Sequence, residues 1–180
     1  MNGLRVAVIV GSTREGRVGD GVAGWFVGVA KQRGDVVVEL LDLVDFDFPQ
    51  RLPEQATAEM NRFTSAVGRA DGFVVVTPEY NRSFPASLKQ AIDYAYDEWH
   101  AKPVGFVCYG CGSQGHHAAA ALRVVFAELH TATVRDEVAL DLMAAEPGPA
   151  HEPAATVLLD ELVWWGEALR TARTTRPYVA

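Results

Sequence analysis

The residues of this chain that are best suited to binding a ligand lie in three polar loops, each directly after an apolar run. The first loop, residues 11–19, has the sequence Gly-Ser-Thr-Arg-Glu-Gly-Arg-Val-Gly. It places hydroxyls and guanidiniums just before a predicted helix, where unpaired backbone N–H groups and the helix dipole favour an anion. Arginine also binds phosphate through two parallel hydrogen bonds. The pattern predicts a phosphate-binding loop, and the plainer alternative is a tight turn with two solvated arginines.

The second loop, residues 77–85, has the sequence Thr-Pro-Glu-Tyr-Asn-Arg-Ser-Phe-Pro. Its two prolines restrict the backbone on either side of a polar, aromatic segment. Stiff backbone amides beside aromatic surface suit the edge of a flat heteroaromatic ligand. The alternative is a helix entry in which Ser83 is the N-cap and Pro85 lies in the first turn. That alternative accounts for Ser83 and Pro85, but it does not account for residues 79–81.

The third loop, residues 109–117, has the sequence Tyr-Gly-Cys-Gly-Ser-Gln-Gly-His-His. Its glycines allow backbone N–H groups to approach a planar ring closely. We therefore predict that this loop also borders the ligand, and a simple glycine-rich turn into a helix is the alternative.

Two cysteines and two histidines in and beside the third loop could bind a metal ion. Cys108, Cys111, His116 and His117 lie within ten residues of the chain, and all four are potential zinc ligands. Cys108, however, falls inside a predicted buried strand, where a small thiol is a common core residue. A redox Cys-x-x-Cys pair usually opens a helix, whereas here the predicted helix begins later. We therefore predict neither a metal site nor a dithiol couple.

Several other nucleotide-binding and catalytic motifs are incomplete. The segment 11–18 resembles a phosphate-binding P-loop, but arginine replaces the lysine and valine replaces the hydroxyl that binds Mg²⁺, so an NTPase is not expected. Gly19-x-Gly21-x-x-Gly24 has the letters of a dinucleotide-binding motif but begins inside the predicted helix. Asp42, at the end of the second apolar run, keeps a dinucleotide-binding domain open as an alternative. The chain has no Gly-x-Ser-x-Gly elbow and no carboxylate pair placed by a motif, so no catalytic side chain is predicted.

The elements that must position these loops alternate regularly along the chain. Strands are predicted over residues 4–10, 36–41, 73–76, 104–109 and 133–140, and helices over residues 19–33, 57–69, 85–99, 114–129 and 154–173. Continuous apolar strands separated by helices are typical of a parallel sheet with helices on both faces. Ligands of such sheets bind beyond the carboxyl ends of the strands, which is where all three loops begin.

Length and charge exclude several classes of protein. A chain of 180 residues suits one globular domain, and we predict a single domain over residues 1–180. A net charge of −7 disfavours binding to nucleic acid or to an anionic membrane. No uncharged apolar stretch approaches about 18 residues, and the apolar run 6–10 is too short for a signal peptide. We therefore expect a cytoplasmic protein.

Two motifs together resemble a known family. Gly11-Ser12-x-Arg14 follows the first strand, and Pro78-Glu79-Tyr80-Asn81-x-Ser83-x-Pro85-x-x-Leu88-Lys89-x-x-Ile92-Asp93 follows the third. This combination is similar to the NADPH-dependent FMN reductases, which include quinone, azo-dye and chromate reductases. The resemblance implies a three-layer, flavodoxin-like α/β fold with a five-stranded parallel sheet of order 2-1-3-4-5. It also implies FMN as the cofactor and NAD(P)H as the co-substrate.

The resemblance also implies which residues hold the flavin. Those expected around its phosphate are Ser12, Arg14, Arg17, Val18 and Gly19. Those expected along its isoalloxazine ring are Pro78, Glu79, Tyr80, Asn81, Gly110, Gly112, Ser113 and Gln114. The family often has a small hydroxyl residue where Arg17 stands, asparagine where Gly19 stands and glycine where His116 stands.

The activity implied by the resemblance is hydride transfer from NAD(P)H to FMN, followed by electron transfer to a small acceptor in a ping-pong sequence. The acceptor could be a quinone, free flavin, an azo compound or a metal oxyanion. A flavodoxin-like electron carrier without its own NAD(P)H activity is one alternative, and a flavin-free structural or signalling domain is another. Members of the family are commonly homodimers or homotetramers. Val163, Trp164 and Trp165 widen the apolar face of the last predicted helix, which is compatible with such assembly.

Overall fold

The computed structural model describes residues 3–144 and 146–179. The strands are β1 (Leu4–Val10), β2 (Val36–Asp42), β3 (Gly72–Pro78), β4 (Pro103–Gly110), β5 (Ala132–Thr133) and β6 (Val138–Asp141). The helices are α1 (Gly19–Lys31), α2 (Ala58–Arg69), α3 (Ala86–Ile92), α4 (His116–Glu128) and α5 (Glu152–Thr175). Short 3₁₀ turns lie at Leu43–Asp45, Asp97–Trp99 and Pro149–His151.

The strands form one parallel sheet of order β2-β1-β3-β4-β5, with β6 also paired to β4. The predicted strand order is confirmed. In this register Val10 lies between Asp42 and Val76, and Pro78 lies beside Tyr109. The carboxyl ends of β1, β3 and β4 are therefore neighbours, and the three polar loops leave the sheet at the same edge.

Side chains of the strands alternate between two apolar cores, one on each face of the sheet. Ala7 and Ile9 pack with helices α2, α3 and α4. Val6, Val8 and Val10 pack with α1 and α5. Helices on both faces are thus confirmed, and burial on both sides explains why the strands are continuously apolar. None of the described helices is long and apolar enough to cross a membrane.

The predicted fifth strand, residues 133–140, is wrong as a single element because the structure divides it into β5 and β6. Both short strands pair with β4, and the polar segment 134–137 separates them. The guanidinium of Arg123 donates hydrogen bonds to the carbonyl oxygens of Val134 and Arg135, at 2.5 and 2.9 Å. A side chain therefore satisfies backbone groups that a continuous strand would pair within the sheet.

The predicted helix 85–99 is also wrong in length, since α3 ends at Ile92. The reason is Trp99, which is fully buried against Phe73 and whose indole N–H donates to the Ile92 carbonyl oxygen at 3.1 Å. This long-range bond satisfies a carbonyl at the helix end. The N-cap of α3 is Pro85 rather than Ser83, and no side chain caps the helix.

Candidate functional site

Direct hydrogen bonds join the polar loops at the carboxyl edge of the sheet. The Gly11 N–H donates to the Val76 carbonyl oxygen, and the Glu79 N–H donates to the Tyr109 carbonyl oxygen, both at 2.9 Å. The Ser12 and Tyr80 hydroxyl oxygens are 3.2 Å apart. The structure thus brings together the three segments that the sequence predicts as one site.

The two arginines of the first loop have different environments. Arg17 donates two parallel hydrogen bonds of 2.5 Å to the Asp42 carboxylate and a third, of 2.7 Å, to the Ser12 carbonyl oxygen. The bonded carboxylate raises the pKa of Arg17 above its usual value. The Arg14 carbonyl oxygen accepts a hydrogen bond from the Arg17 N–H at 3.3 Å, but its exposed guanidinium has no ion-pair or hydrogen-bond partner in the described part of the chain. Arg17 therefore joins the loop to β2, whereas Arg14 is available to an anion.

The buried hydroxyl of Tyr109 lies at the N-terminus of α1. A Cβ atom added to Gly19 would lie only 2.4 Å from this oxygen, so the phenol fits there because the helix begins with glycine. The hydroxyl has no hydrogen-bond partner among residues 3–144 and 146–179. Burial raises the pKa of Tyr109 well above its usual value. The buried Ser12 hydroxyl is near enough to offset part of this rise in pKa, but no hydrogen bond of ordinary geometry joins the two groups among the described residues. The phenol is thus a neutral donor beside Ser12.

Tyr109 is not among the site residues predicted from the sequence. The sequence contains one signal for it, because Tyr109 is the last side chain of an otherwise apolar strand and carries a polar hydroxyl at the binding edge of the sheet. Its proximity to Gly19 is visible only in the tertiary structure.

A two-residue hairpin turn shapes the second loop. Tyr80 and Ser83 exchange backbone hydrogen bonds of 2.8 and 2.9 Å, and Asn81 and Arg82 occupy the turn at φ values of 51° and 63°. Positive φ at both central positions is the mark of a type I′ turn. The hairpin, together with the flanking prolines, therefore sets the direction in which residues 79–81 leave the sheet.

A chain of polar contacts fastens this hairpin to α4. The backbone N–H of His117 donates to the Glu79 carboxylate at 3.1 Å, and the His117 Nδ1 lies 3.2 Å from the same group. The Arg82 guanidinium lies 2.7 Å from His117 Nε2. Because arginine only donates, Nε2 must accept and Nδ1 must hold the proton that is donated to Glu79. His117 therefore connects the hairpin to the first turn of α4.

Glu79 is the acidic member of this chain of contacts. Burial opposes its ionisation, but hydrogen bonds from Ser113 and His117 outweigh burial and lower the pKa of Glu79. The carboxylate is therefore ionised at neutral pH and acts as a fixed acceptor. The contacts of His117 could not be predicted from the sequence, because its partners Glu79 and Arg82 lie on the second loop.

The third loop lies directly on the end of β4. Gly115 has a φ of 87°, and a Cβ there would lie 2.4 Å from the Tyr109 nitrogen and 2.7 Å from the Cys108 Cβ. Only glycine allows this approach. Gly110, Ser113 and Gln114 are partly buried, whereas Cys111 and Gly112 are exposed. The loop thus presents backbone and small side chains beside Glu79, and its role as a wall for the ring stays a prediction.

Comparison with known proteins relates the chain to flavin-dependent enzymes. The family model for NADPH-dependent FMN reductase matches residues 4–144. An NAD(P)H-dependent FMN reductase from Nectria sp is 37% identical in an alignment of length 119 that covers 59% of this chain and 59% of that protein. One from Schizosaccharomyces pombe is 36% identical in an alignment of length 135 that covers 67% of this chain and 68% of that protein. A quinone reductase from Pseudomonas putida is 32% identical in an alignment that covers 61% of this chain and 62% of that protein.

Solved structures show the same fold. A flavoenzyme NAD(P)H:(acceptor) oxidoreductase from Paracoccus denitrificans superposes with a TM-score of 0.74 at 24% identity, covering 93% of this chain and 98% of that one. An NADH:FMN oxidoreductase in its apo form superposes with a TM-score of 0.70 at 20% identity, covering 97% and 92%. At these identities the likeness concerns the flavodoxin-like architecture alone.

Proposed function

The chain belongs to the NADPH-dependent FMN reductase family, and from that premise we propose that it is an FMN-dependent NAD(P)H oxidoreductase whose electron acceptor is a small molecule such as a quinone. One structural observation supports this proposal above the others. The unpartnered hydroxyl of Tyr109 is buried beside Ser12 and the N-terminus of α1, so the first loop has a built place for an anion.

The first loop fits the phosphate of FMN. Ser12 and Tyr109 offer buried hydroxyls, and the first backbone N–H groups of α1 have no acceptor within the helix. No side chain caps this helix at Val18, so these donors face the loop. Arg14 would add a charge-assisted contact to the phosphate. We assign Arg17 a positioning role, because Asp42 already holds its guanidinium.

The hairpin 79–82 and the loop 110–114 fit the edges of the isoalloxazine ring. Both are held rigidly, the hairpin by its type I′ turn and by Glu79, and the loop by the close approach of Gly115 to β4. Backbone amides would orient the ring, and the partly exposed Tyr80 would cover part of it. When bound, FMN supplies the redox chemistry, accepting a hydride from NAD(P)H and then reducing the acceptor. The protein residues hold and orient the reactants, and none is assigned as an acid or base.

Ping-pong kinetics form part of this proposal, because donor and acceptor would occupy the same pocket in turn. Initial rates measured against NADPH at several fixed quinone concentrations should give parallel double-reciprocal lines. Intersecting lines would contradict the shared pocket while leaving the reductase activity intact.

Assembly into a homodimer or homotetramer is also proposed. Trp164 and Trp165, on the outer side of α5, are 65% and 42% exposed and contact each other edge to face at 5.0 Å. Large exposed apolar side chains of this kind are typical of interaction surfaces. Light scattering should give a mass of two or four times 19.5 kDa. The double substitution Trp164→Ser/Trp165→Ser should lower that mass.

The test of the main proposal is the visible absorption spectrum of the purified protein with added FMN, recorded before and after anaerobic NADPH. Retained flavin that bleaches would support the oxidoreductase. Retained flavin that stays yellow with both NADPH and NADH would overturn the activity and favour an electron carrier. If the protein retains no flavin at micromolar concentration, the cofactor assignment is wrong.

A further inference from the structure

We propose that Cys108, His116 and Glu137 bind a divalent cation of the zinc class at the end of β4, where the loop 110–114 connects this strand to α4. The thiol, an imidazole nitrogen and a carboxylate oxygen of these residues all lie within 4.8 Å of one another. They come from three separate parts of the chain, namely a strand, a helix N-terminus and the segment between β5 and β6.

The fold brings these residues together through Gly115. Cys108 is fully buried near the end of β4. Because Gly115 has no Cβ, the start of α4 lies directly over Cys108 and places His116 beside it. Glu137 immediately precedes β6, which pairs in register with β4 at Cys108. Each ligand thus stands on an element that the sheet or the close helix contact holds in place.

The donor set is typical of zinc. Thiolate, imidazole and carboxylate bind Zn²⁺ at about 2.3, 2.0–2.1 and 2.0–2.2 Å in a tetrahedral arrangement, which places the donor atoms roughly 3.3–3.8 Å apart. The His116 Nδ1 and Glu137 Oε1 atoms are 2.7 Å apart in a direct hydrogen bond, so a cation between them must widen this pair by about 0.6 Å. The longest separation in the cluster, up to 4.8 Å, must shorten by about 1 Å. Mg²⁺ and Ca²⁺ prefer oxygen ligands and would be poor occupants.

A water molecule can supply the fourth ligand of the cation. The His116 side chain is 56% exposed, so a cation can enter from its side and a water molecule can complete the tetrahedron. Binding converts the Cys108 thiol to a thiolate and releases one proton to solvent. The thiolate and the Glu137 carboxylate together balance the charge of the cation.

Arg123 orients the carboxylate ligand. Arg123 donates to Glu137 Oε2 at 3.0 Å and is itself held by the carbonyl oxygens of Val134 and Arg135. Glu137 Oε1 stays on the side of His116 and Cys108. Partners of this kind fix the ligand orientation in many metal sites.

The site differs from the metal cluster that the sequence alone suggests. Cys111 is exposed, and His117 is directed to Glu79 and Arg82. Neither belongs to the triad, and Glu137 replaces them from a segment twenty residues further along the chain than His117.

The test is titration of the metal-free protein with Co²⁺ and with Zn²⁺. Co²⁺ should produce a thiolate-to-cobalt charge-transfer band in the difference spectrum, which the flavin does not contribute to, and Zn²⁺ should abolish the band. Cys108→Ala should remove the band and weaken Zn²⁺ binding, measured by calorimetry, by more than about 100-fold, because loss of a residue that only orients a metal ligand already costs about 10–100-fold. Cys111→Ser is the matched control and should keep both.

His116→Asn provides a second arm, because the His116 side chain is 56% exposed and its replacement removes a ligand without opening the core. It should weaken Zn²⁺ binding to a similar extent while circular dichroism stays unchanged. Absence of the charge-transfer band, or a band that is lost in Cys111→Ser and retained in Cys108→Ala, would overturn the proposal. Neither outcome depends on FMN binding or on reductase activity.

Discussion

Arg17 and Asp42 are 25 positions apart in the chain, yet they form two parallel hydrogen bonds of 2.5 Å. The pair joins the loop after β1 to the end of β2, and both side chains are largely buried, at 15% and 14% exposure. Asp42 also accepts a hydrogen bond from the Val44 N–H at 3.2 Å. Arg17, which the sequence predicts beside a phosphate, is therefore already bonded to Asp42.

The first prediction concerns the stability that this pair provides. Arg17→Ala should lower the free energy of unfolding by about 2–3 kcal/mol, because it leaves the Asp42 carboxylate largely buried without its partner. Asp42→Ala should cost a similar amount, and the double variant should cost clearly less than the sum. Urea denaturation of all four proteins gives the coupling energy. Additive effects would show that the pair contributes no net stability.

Substitution of Arg14 should affect FMN binding and leave stability unchanged, in contrast to substitution of Arg17. Arg14→Ala should leave the unfolding midpoint unchanged, because the side chain is exposed and has no partner among the described residues. FMN binding should weaken by about 1 kcal/mol, or five- to tenfold, through the loss of one exposed charge-assisted contact. Quenching of flavin fluorescence measures the dissociation constant. An unchanged constant would remove Arg14 from the phosphate site.

Tyr109→Phe tests the buried donor at the start of α1. Since the hydroxyl has no partner within the described ranges, its removal should leave stability unchanged or slightly raised. The dissociation constant of FMN should rise about tenfold, which corresponds to one hydrogen bond to a charged group. Tyr94→Phe is the control, because that hydroxyl donates to the Pro49 carbonyl oxygen at 3.1 Å. It should lower stability without changing FMN affinity.

Gly19→Ala should disturb the same place sterically. The new methyl group would lie 2.4 Å from the Tyr109 hydroxyl oxygen, so stability and FMN affinity should both fall, stability by about 1–3 kcal/mol. Gly21→Ala, two residues along the same helix and with nothing within 4 Å of the added carbon, should instead stabilise by about 0.5–1 kcal/mol. Combining Gly19→Ala with Tyr109→Phe should restore most of the lost stability. A combined variant as unstable as Gly19→Ala would place the clash elsewhere.

Lys102 should make stability depend on alkaline pH. Its ammonium group donates to the carbonyl oxygens of Val67 and Gly68 at 2.9 and 3.0 Å, and burial, aided by the positive charge of Arg173, lowers the pKa of Lys102 to about 8. The ordinary pKa of lysine is about 10.4. Between these two pH values the unfolded chain binds more protons than the folded one, so the free energy of unfolding rises with pH.

The measurement compares the wild-type protein with Lys102→Met by chemical denaturation at several pH values. The advantage of the wild-type protein should grow by about 2 kcal/mol from pH 8 to pH 10. A constant difference between the two proteins would show that the pKa of Lys102 is not lowered.

Much of the fold and the general place of the site follow from local sequence. Apolar runs such as 4–10 and 72–78 form central strands because a strand inside a parallel sheet is covered on both faces and so buries every side chain of the run. Parallel connection then forces the loops after β1, β3 and β4 to one edge. The motif from Pro78 to Asp93 indicates the family without any knowledge of contacts.

Contacts between distant residues were decided only by the tertiary structure. Trp99 ends α3 by reaching Ile92, and Arg123 divides the last strand by binding two carbonyl oxygens. The partner of Arg17, the placement of Tyr109 over Gly19 and the approach of Glu137 to Cys108 depend on strand register and on how closely helices approach the sheet. Periodicity and composition determine which elements form. They do not specify the ångström-scale distances between elements on which a hydrogen bond, a steric clash or a metal ligand depends.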